Sequence, residues 1–234
     1  MYSISNFFNN KAQNFSNNYK KAKSFRERYK FLTHKLKNLL KNNLKKKIQI
    51  LDYGCGEEIF TVALSYYGSV TAVDGSKNML DLAKEKTILK KNKNIKFILS
   101  DLNNYNSNKK FGLIFCSSVM EYLDNFSKHL DKLHNLLDDK GTLILTLPNS
   151  RIIYKLIELA LFKLINIPRY YNYVKLNKNE NFYREILTKK KFFISEVSYF
   201  SNNFKILDYI GISPKYKSSI IFFILKKKNK NIFF

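Results

Sequence analysis

The residues able to do chemistry are few, and they recur at intervals along the first two thirds of the chain. Asp52 opens a small-residue turn, Gly54-Cys55-Gly56, that continues into Glu57 and Glu58. Residues with little side chain let backbone N–H groups come close to a ligand there. A phosphate loop would need Gly-Lys followed by Ser or Thr; acids repel a pyrophosphate and suit a cationic or zwitterionic ligand instead. Asp74 follows Gly56 by 18 positions, a spacing at which a carboxylate accepts both hydroxyls of a ribose. With Gly75 and Ser76 it reads equally well as a helix cap. Asp101 is placed to accept from an adenine amino group with Leu102 packed beside the ring, or to close a turn. Cys116-Ser117-Ser118 leaves room for the reacting end of a ligand, or packs closely. Glu121 and Tyr122 follow as candidates to face an acceptor, Glu121 being otherwise a surface acid of a helix. A phenol, with a solution pKa of about 10, orients a substrate better than it deprotonates one at neutral pH.

These residues need elements that bring them to one rim. The periodicity predicts a helix over 25–41, from Tyr29, Leu32, Leu36, Leu39 and Leu40, and then strands alternating with helices. The strands are IQILDYG, SVTAVDGS, 95–99, FGLIFCSS and GTLILTLP. Helices follow Gly56 and Ser76, which is a good N-cap residue, and a further helix is expected over 120–137. Nearly continuous apolar strands between helices imply a largely parallel sheet covered on both faces, in which ligands bind outside the carboxyl ends of the strands. Beyond Pro148 the pattern predicts an apolar helix to about residue 167, a helix over 179–190, and two late strands, FFISEVSYF and SSIIFFIL, as an antiparallel pair at the sheet edge.

Acids and a glycine turn at successive strand tips, in this order, resemble the class I S-adenosylmethionine-dependent methyltransferases. ILDYGCGEEIF, VTAVDGSKNMLDLAKEK, IKFILSDL, FGLIFCSSVMEYL and GTLILTLPN are similar to that family's successive motifs, over about residues 48–150. FFNNKAQNFSNNY is similar to the N-terminal segment that covers the donor pocket in many members. The resemblance implies an α/β, Rossmann-like, doubly wound seven-stranded sheet, mostly parallel, with an antiparallel C-terminal strand pair. It implies one domain: a helical cap over 1–45, a cofactor-binding core over 46–150, a helical substrate or lid insertion over 151–190 and closing strands over 191–234. It further implies that Gly54, Cys55 and Gly56 back the methionine part of S-adenosylmethionine with Asp52 near its ammonium group. Asp74, next to Gly75, would hold the ribose; Ser76 would start the following helix and Met79 pack on the adenine. Asp101 and Leu102 would contact the adenine edge, and the Ser117 backbone would face the methionine amine. Two positions depart from the pattern: Glu58 stands where a third Gly is expected, and Tyr122 where the family often has His.

Composition narrows the rest. Among 234 residues, 42 Lys and Arg against 18 Asp and Glu give a net charge of +24. Lys, Asn, Ile, Phe and Tyr are raised together, the pattern of AT-rich coding, and Arg, which reads phosphate and guanine bidentately, is scarce. Nucleic acid is therefore the weaker expectation, with an RNA methyltransferase as the alternative, and Ile59 argues against a nicotinamide fingerprint. Two cysteines and 3 His give no disulfide framework and no zinc spacing, so no metal is expected. No secretory signal and no membrane span of about 20 apolar residues is recognised, which makes the cytoplasm the expected location. The acceptor is expected to be a small molecule, a saccharide or a lipid-linked compound, with membrane contact at most peripheral. The apolar stretch 152–167 is expected to be a core helix or a homodimer face, or else a lid over a greasy acceptor.

Overall fold

In the computed structural model, residues 4–41, 48–57, 59–89, 94–150, 163–164, 169–200 and 213–228 are described. The elements run α1 (Ile4–Lys21), α2 (Lys23–Leu40), β1 (Ile48–Tyr53), α3 (Ile59–Ser65), β2 (Gly68–Asp74), α4 (Lys77–Leu89), β3 (Ile95–Leu99), β4 (Phe111–Ser117), α5 (Phe126–Leu136), β5 (Leu137–Pro148), α6 (Glu180–Lys189), β6 (Phe192–Phe200) and β7 (Ile220–Lys227). They form a seven-stranded sheet in the order β3-β2-β1-β4-β5-β7-β6. β2 and β4 pair in parallel with the two sides of β1, and β3 pairs in parallel with β2. β6 and β7 are the expected antiparallel edge pair. The order reverses between β1 and β4, so the carboxyl end of β1 is the switch point at which such sheets bind ligands.

The chain divides into two compact units, Met1–Cys116 with Asn135–Thr142, and Ser117–His134 with Leu143–Phe234. In the first, β1 buries its last four residues, and Val70, Ala72, Val73, Leu113, Ile114 and Phe115 continue that core along β2 and β4. α2 buries Leu32, Leu36 and Leu40, one residue per helical turn, as its apolar spacing requires. Phe60 of α3 packs between Tyr29 and Phe115, with ring centroids 5.7 and 5.2 Å away. In the second unit, Leu143, Ile144, Leu145 and Leu147 of β5 are buried, as are Ile221–Leu225 of β7. Tyr183 of α6 meets Phe126 and Phe223 edge-on.

Two elements differ from expectation. The single helix expected over 120–137 is a 3-10 turn, Met120–Tyr122, followed by α5 from Phe126. The Glu121 carbonyl, which a continuous helix would pair with the amide of residue 125, instead accepts from the amides of Lys175 and Leu176. Asn125, at φ 51, breaks the helix and its side chain accepts from the Lys128 amide. β5 begins at Leu137 rather than at Gly141, because the exposed residues 138–140 extend the strand without any apolar signal. The lid and dimer readings of 152–167 fall almost wholly outside the described residues, as does the Glu58 departure. Among the described residues, no helix is long and apolar enough to cross a membrane.

Candidate active site

The β1–α3 turn is tied to the end of β2. Gly54 and Gly56 have φ of 81° and 56°, the left-handed region that favours glycine. The amides of Gly54 and Cys55 both donate to the Val73 carbonyl, at 2.8 and 3.0 Å, and the Gly56 amide donates to Asp74 Oδ2 at 2.9 Å. All three amides are thus engaged within the protein, where the sequence suggests amides turned to a ligand. What the turn leaves open is space: a Cβ built on Gly56 meets no atom within 4 Å. The Cys55 thiol is buried, and burial pushes its pKa well up, so it is no nucleophile in this setting.

Two carboxylates, one buried and one half-buried, stand beside that space. Asp52, only 2% exposed, has its pKa pushed up to about 7 by burial; a 2.6 Å hydrogen bond from Thr61 Oγ1 opposes the rise and the charge of Asp74 adds to it. Burial raises Asp74 as well, against bonds from backbone amides: Ser76 N donates to Oδ1 at 2.8 Å and Gly56 N to Oδ2. The Gly75 amide is a third backbone donor to this carboxylate, which with about four acceptor sites keeps capacity for a hydroxyl. The cap and the ligand-holding readings of Asp74 are therefore compatible in one carboxylate. Glu57, also buried, pairs with Lys86 Nζ at 2.7 Å, whereas Asp52 is held by Thr61 and Asp74 by backbone amides.

The next two strand tips lie in the same unit. Ser76 caps α4, its Oγ accepting from the Met79 amide at 3.2 Å, and Met79 is buried. Gly75 lies under α1, where a Cβ would meet Ser5 Oγ at 2.9 Å. Leu102 is buried and its carbonyl accepts from the Tyr53 hydroxyl at 2.7 Å. Asp101 is exposed, and its Oδ1 closes a turn by accepting from the backbone and side-chain nitrogens of Asn103 at 2.8 and 3.0 Å.

Ser117, Glu121 and Tyr122 belong to the other unit. Ser117 Oγ lies 3.2 Å from Thr146 Oγ1, which also accepts from the Ser118 amide at 2.9 Å. Glu121 is 7% exposed, which corrects its reading as a surface acid, and Tyr122 is half-buried. Thr61 and Thr146, which orient Asp52 and Ser118, carry no sequence signal, since each meets its partner across strand–helix or strand–strand packing rather than at a local spacing. Among the described residues, no group of three or more His, Cys, Asp or Glu is arranged to hold a metal.

A family model described as a methyltransferase domain matches residues 44–199. Malonyl-[acyl-carrier protein] O-methyltransferase 1 of Ilyobacter polytropus is 30% identical over 149 residues, covering 62% of this chain and 54% of its own length. A ubiquinone biosynthesis O-methyltransferase of Rickettsia akari is 28% identical over 156 residues, covering 64% and 61%. The chain spans about half the length of the curated relatives it matches. The crystal structure of an S-adenosylmethionine-dependent methyltransferase from Clostridium acetobutylicum shares the fold, with a TM-score of 0.67, 19% identity and coverage of 93% of this chain and 99% of that one. So does the N-methyltransferase NodS from Bradyrhizobium japonicum, at 0.64, 17% identity and coverage of 90% and 91%. The chain therefore belongs to the methyltransferase-domain family, the class I S-adenosylmethionine-dependent methyltransferases.

Proposed function

We propose that this chain transfers the methyl group of S-adenosylmethionine to an oxygen of a small-molecule, lipid-linked or carrier-linked acceptor. The observation that carries the donor half is the pair of carboxylates, Asp52 buried and Asp74 half-buried, at adjacent strand tips beside the open space at Gly56. Asp52, when ionised, balances the donor's ammonium, and Thr61 fixes which of its oxygens stays available. Asp74 accepts from the ribose with the acceptor capacity its backbone amide bonds leave. Met79 and Leu102 supply apolar surface for the adenine, and Asp101 accepts from the adenine amino group. Cys55, Gly75 and Ser76 line the same donor.

The bound sulfonium supplies an electrophilic methyl carbon with a neutral thioether as leaving group. The protein's task is then chiefly to hold two centres at attack distance, with a base assisting where the acceptor is a hydroxyl. Glu121 is our candidate for that base and Tyr122 for orienting the acceptor. Oxygen is favoured over nitrogen because the curated relatives of both kinds are O-methyltransferases by name. A net charge of +24 favours an anionic acceptor, such as a carboxylate on an acidic carrier protein. Incubation with methyl-labelled donor and, separately, a malonyl-loaded acyl carrier protein, a polyprenylated phenol and total RNA tests this. Label on the carrier protein or the phenol is expected; label on RNA alone would overturn the acceptor assignment.

A further inference from the structure

We propose that Asn9 is a positioning residue for donor binding, a role that rests on the donor reading above. Its carboxamide docks α1 on the β2–α4 junction and so sets the Asp74 carboxylate. Asn9 Oδ1 accepts from Ser76 Oγ at 2.7 Å and from the Asn78 amide at 3.1 Å, and the Asn9 carbonyl accepts from Asn78 Nδ2 at 3.2 Å. Ser76 is the shared member, because its own amide donates to Asp74 Oδ1 while its hydroxyl caps α4 at Met79. Asp74 Oδ2 in turn holds the Gly56 amide. A continuous run of hydrogen bonds thus joins α1 to the glycine turn through the carboxylate read as the ribose site.

Two features support a docked α1 at this junction. α1 contains six asparagines and no acid in its first turn, a composition with weak intrinsic helix preference, so its order depends on docking. Gly75 is the second: a Cβ there would come within 2.9 Å of Ser5 Oγ, one turn before Asn9, so the absence of a side chain lets the two segments approach.

The test compares wild type, Asn9→Ala, Gly75→Ala and the double variant Gly75→Ala/Ser5→Ala. Adenosylhomocysteine affinity is measured by calorimetry, limited trypsin cleavage at the α1–α2 break around Lys21 and Lys23 in the free protein, and the thermal midpoint alongside. Asn9→Ala is expected to weaken affinity about tenfold and to speed cleavage, with the midpoint nearly unchanged because the buried core is untouched. Gly75→Ala is expected to do the same, and Ser5→Ala in that background to restore both, since it removes the atom in the way. Wild-type affinity in Asn9→Ala, beside normal wild-type heat, overturns the Asn9 role alone. A lowered midpoint with unchanged affinity does so too and marks the contact as merely structural. No heat from the wild type overturns the donor reading itself and the Asn9 role with it.

Discussion

Asp52 is a carboxylate whose burial disfavours its charge, and this has a pH signature of definite sign. Its folded-state pKa, about 7, lies above the ordinary carboxylate value, so the stability tied to its protonated form is fully present below that ordinary value. It is lost as pH rises through about 7. In the free protein, Asp52→Asn should therefore flatten the fall in thermal midpoint between about pH 4 and pH 7, by an amount on the order of a few kcal/mol at neutral pH; a wild-type slope retained in the variant would contradict the assignment. Ligand binding should show the opposite trend, because a cation prefers the ionised acid: adenosylhomocysteine affinity should rise between pH 6 and pH 8 in wild type and stay flat in Asp52→Asn. Asp52, Asp74 and the glycine turn are legible in the sequence because they sit at fixed offsets from strand ends. Thr61 and Asn9 are not, because each meets its partner only through the packing of separate elements.

At the scale of elements, the second unit is anchored by a buried acid. Glu180, at the start of α6, is pushed upward by burial, but hydrogen bonds from Tyr199 of β6, Arg184 and Lys215 outweigh that and hold its pKa below the usual range. Tyr199, raised to about 12 by burial first and by Glu180 second, remains a donor at any physiological pH. Tyr199→Phe should cost about 1–2 kcal/mol, a hydrogen bond to a charged group, read as a lower midpoint in chemical denaturation. The stability that depressed acid contributes is present at neutral pH and falls away as acid titrates the Glu180 carboxyl. Most strand and helix boundaries are legible, because apolar periodicity and burial coincide in β1, β2, α2 and α6. The break between Tyr122 and Phe126 is not, since it depends on the Lys175 and Leu176 amides capturing the Glu121 carbonyl from far along the chain.

For the whole molecule, the excess of basic charge should govern encounter more than chemistry. With an anionic acceptor, kcat/KM should drop several-fold between about 50 and 200 mM salt while kcat changes little, the behaviour of electrostatic steering; a salt-independent kcat/KM would point to a neutral acceptor. The doubly wound plan is legible from the alternation of elements, whereas the acceptor is not, since one such fold serves many substrates. The most direct test is a calorimetric titration at pH 8 of wild type and Asp74→Ala with adenosylhomocysteine and with NAD. Heat from adenosylhomocysteine alone is expected, weakened at least tenfold, about 1.4 kcal/mol, in the variant. Heat from NAD alone, or a variant that binds adenosylhomocysteine like wild type, would contradict the account.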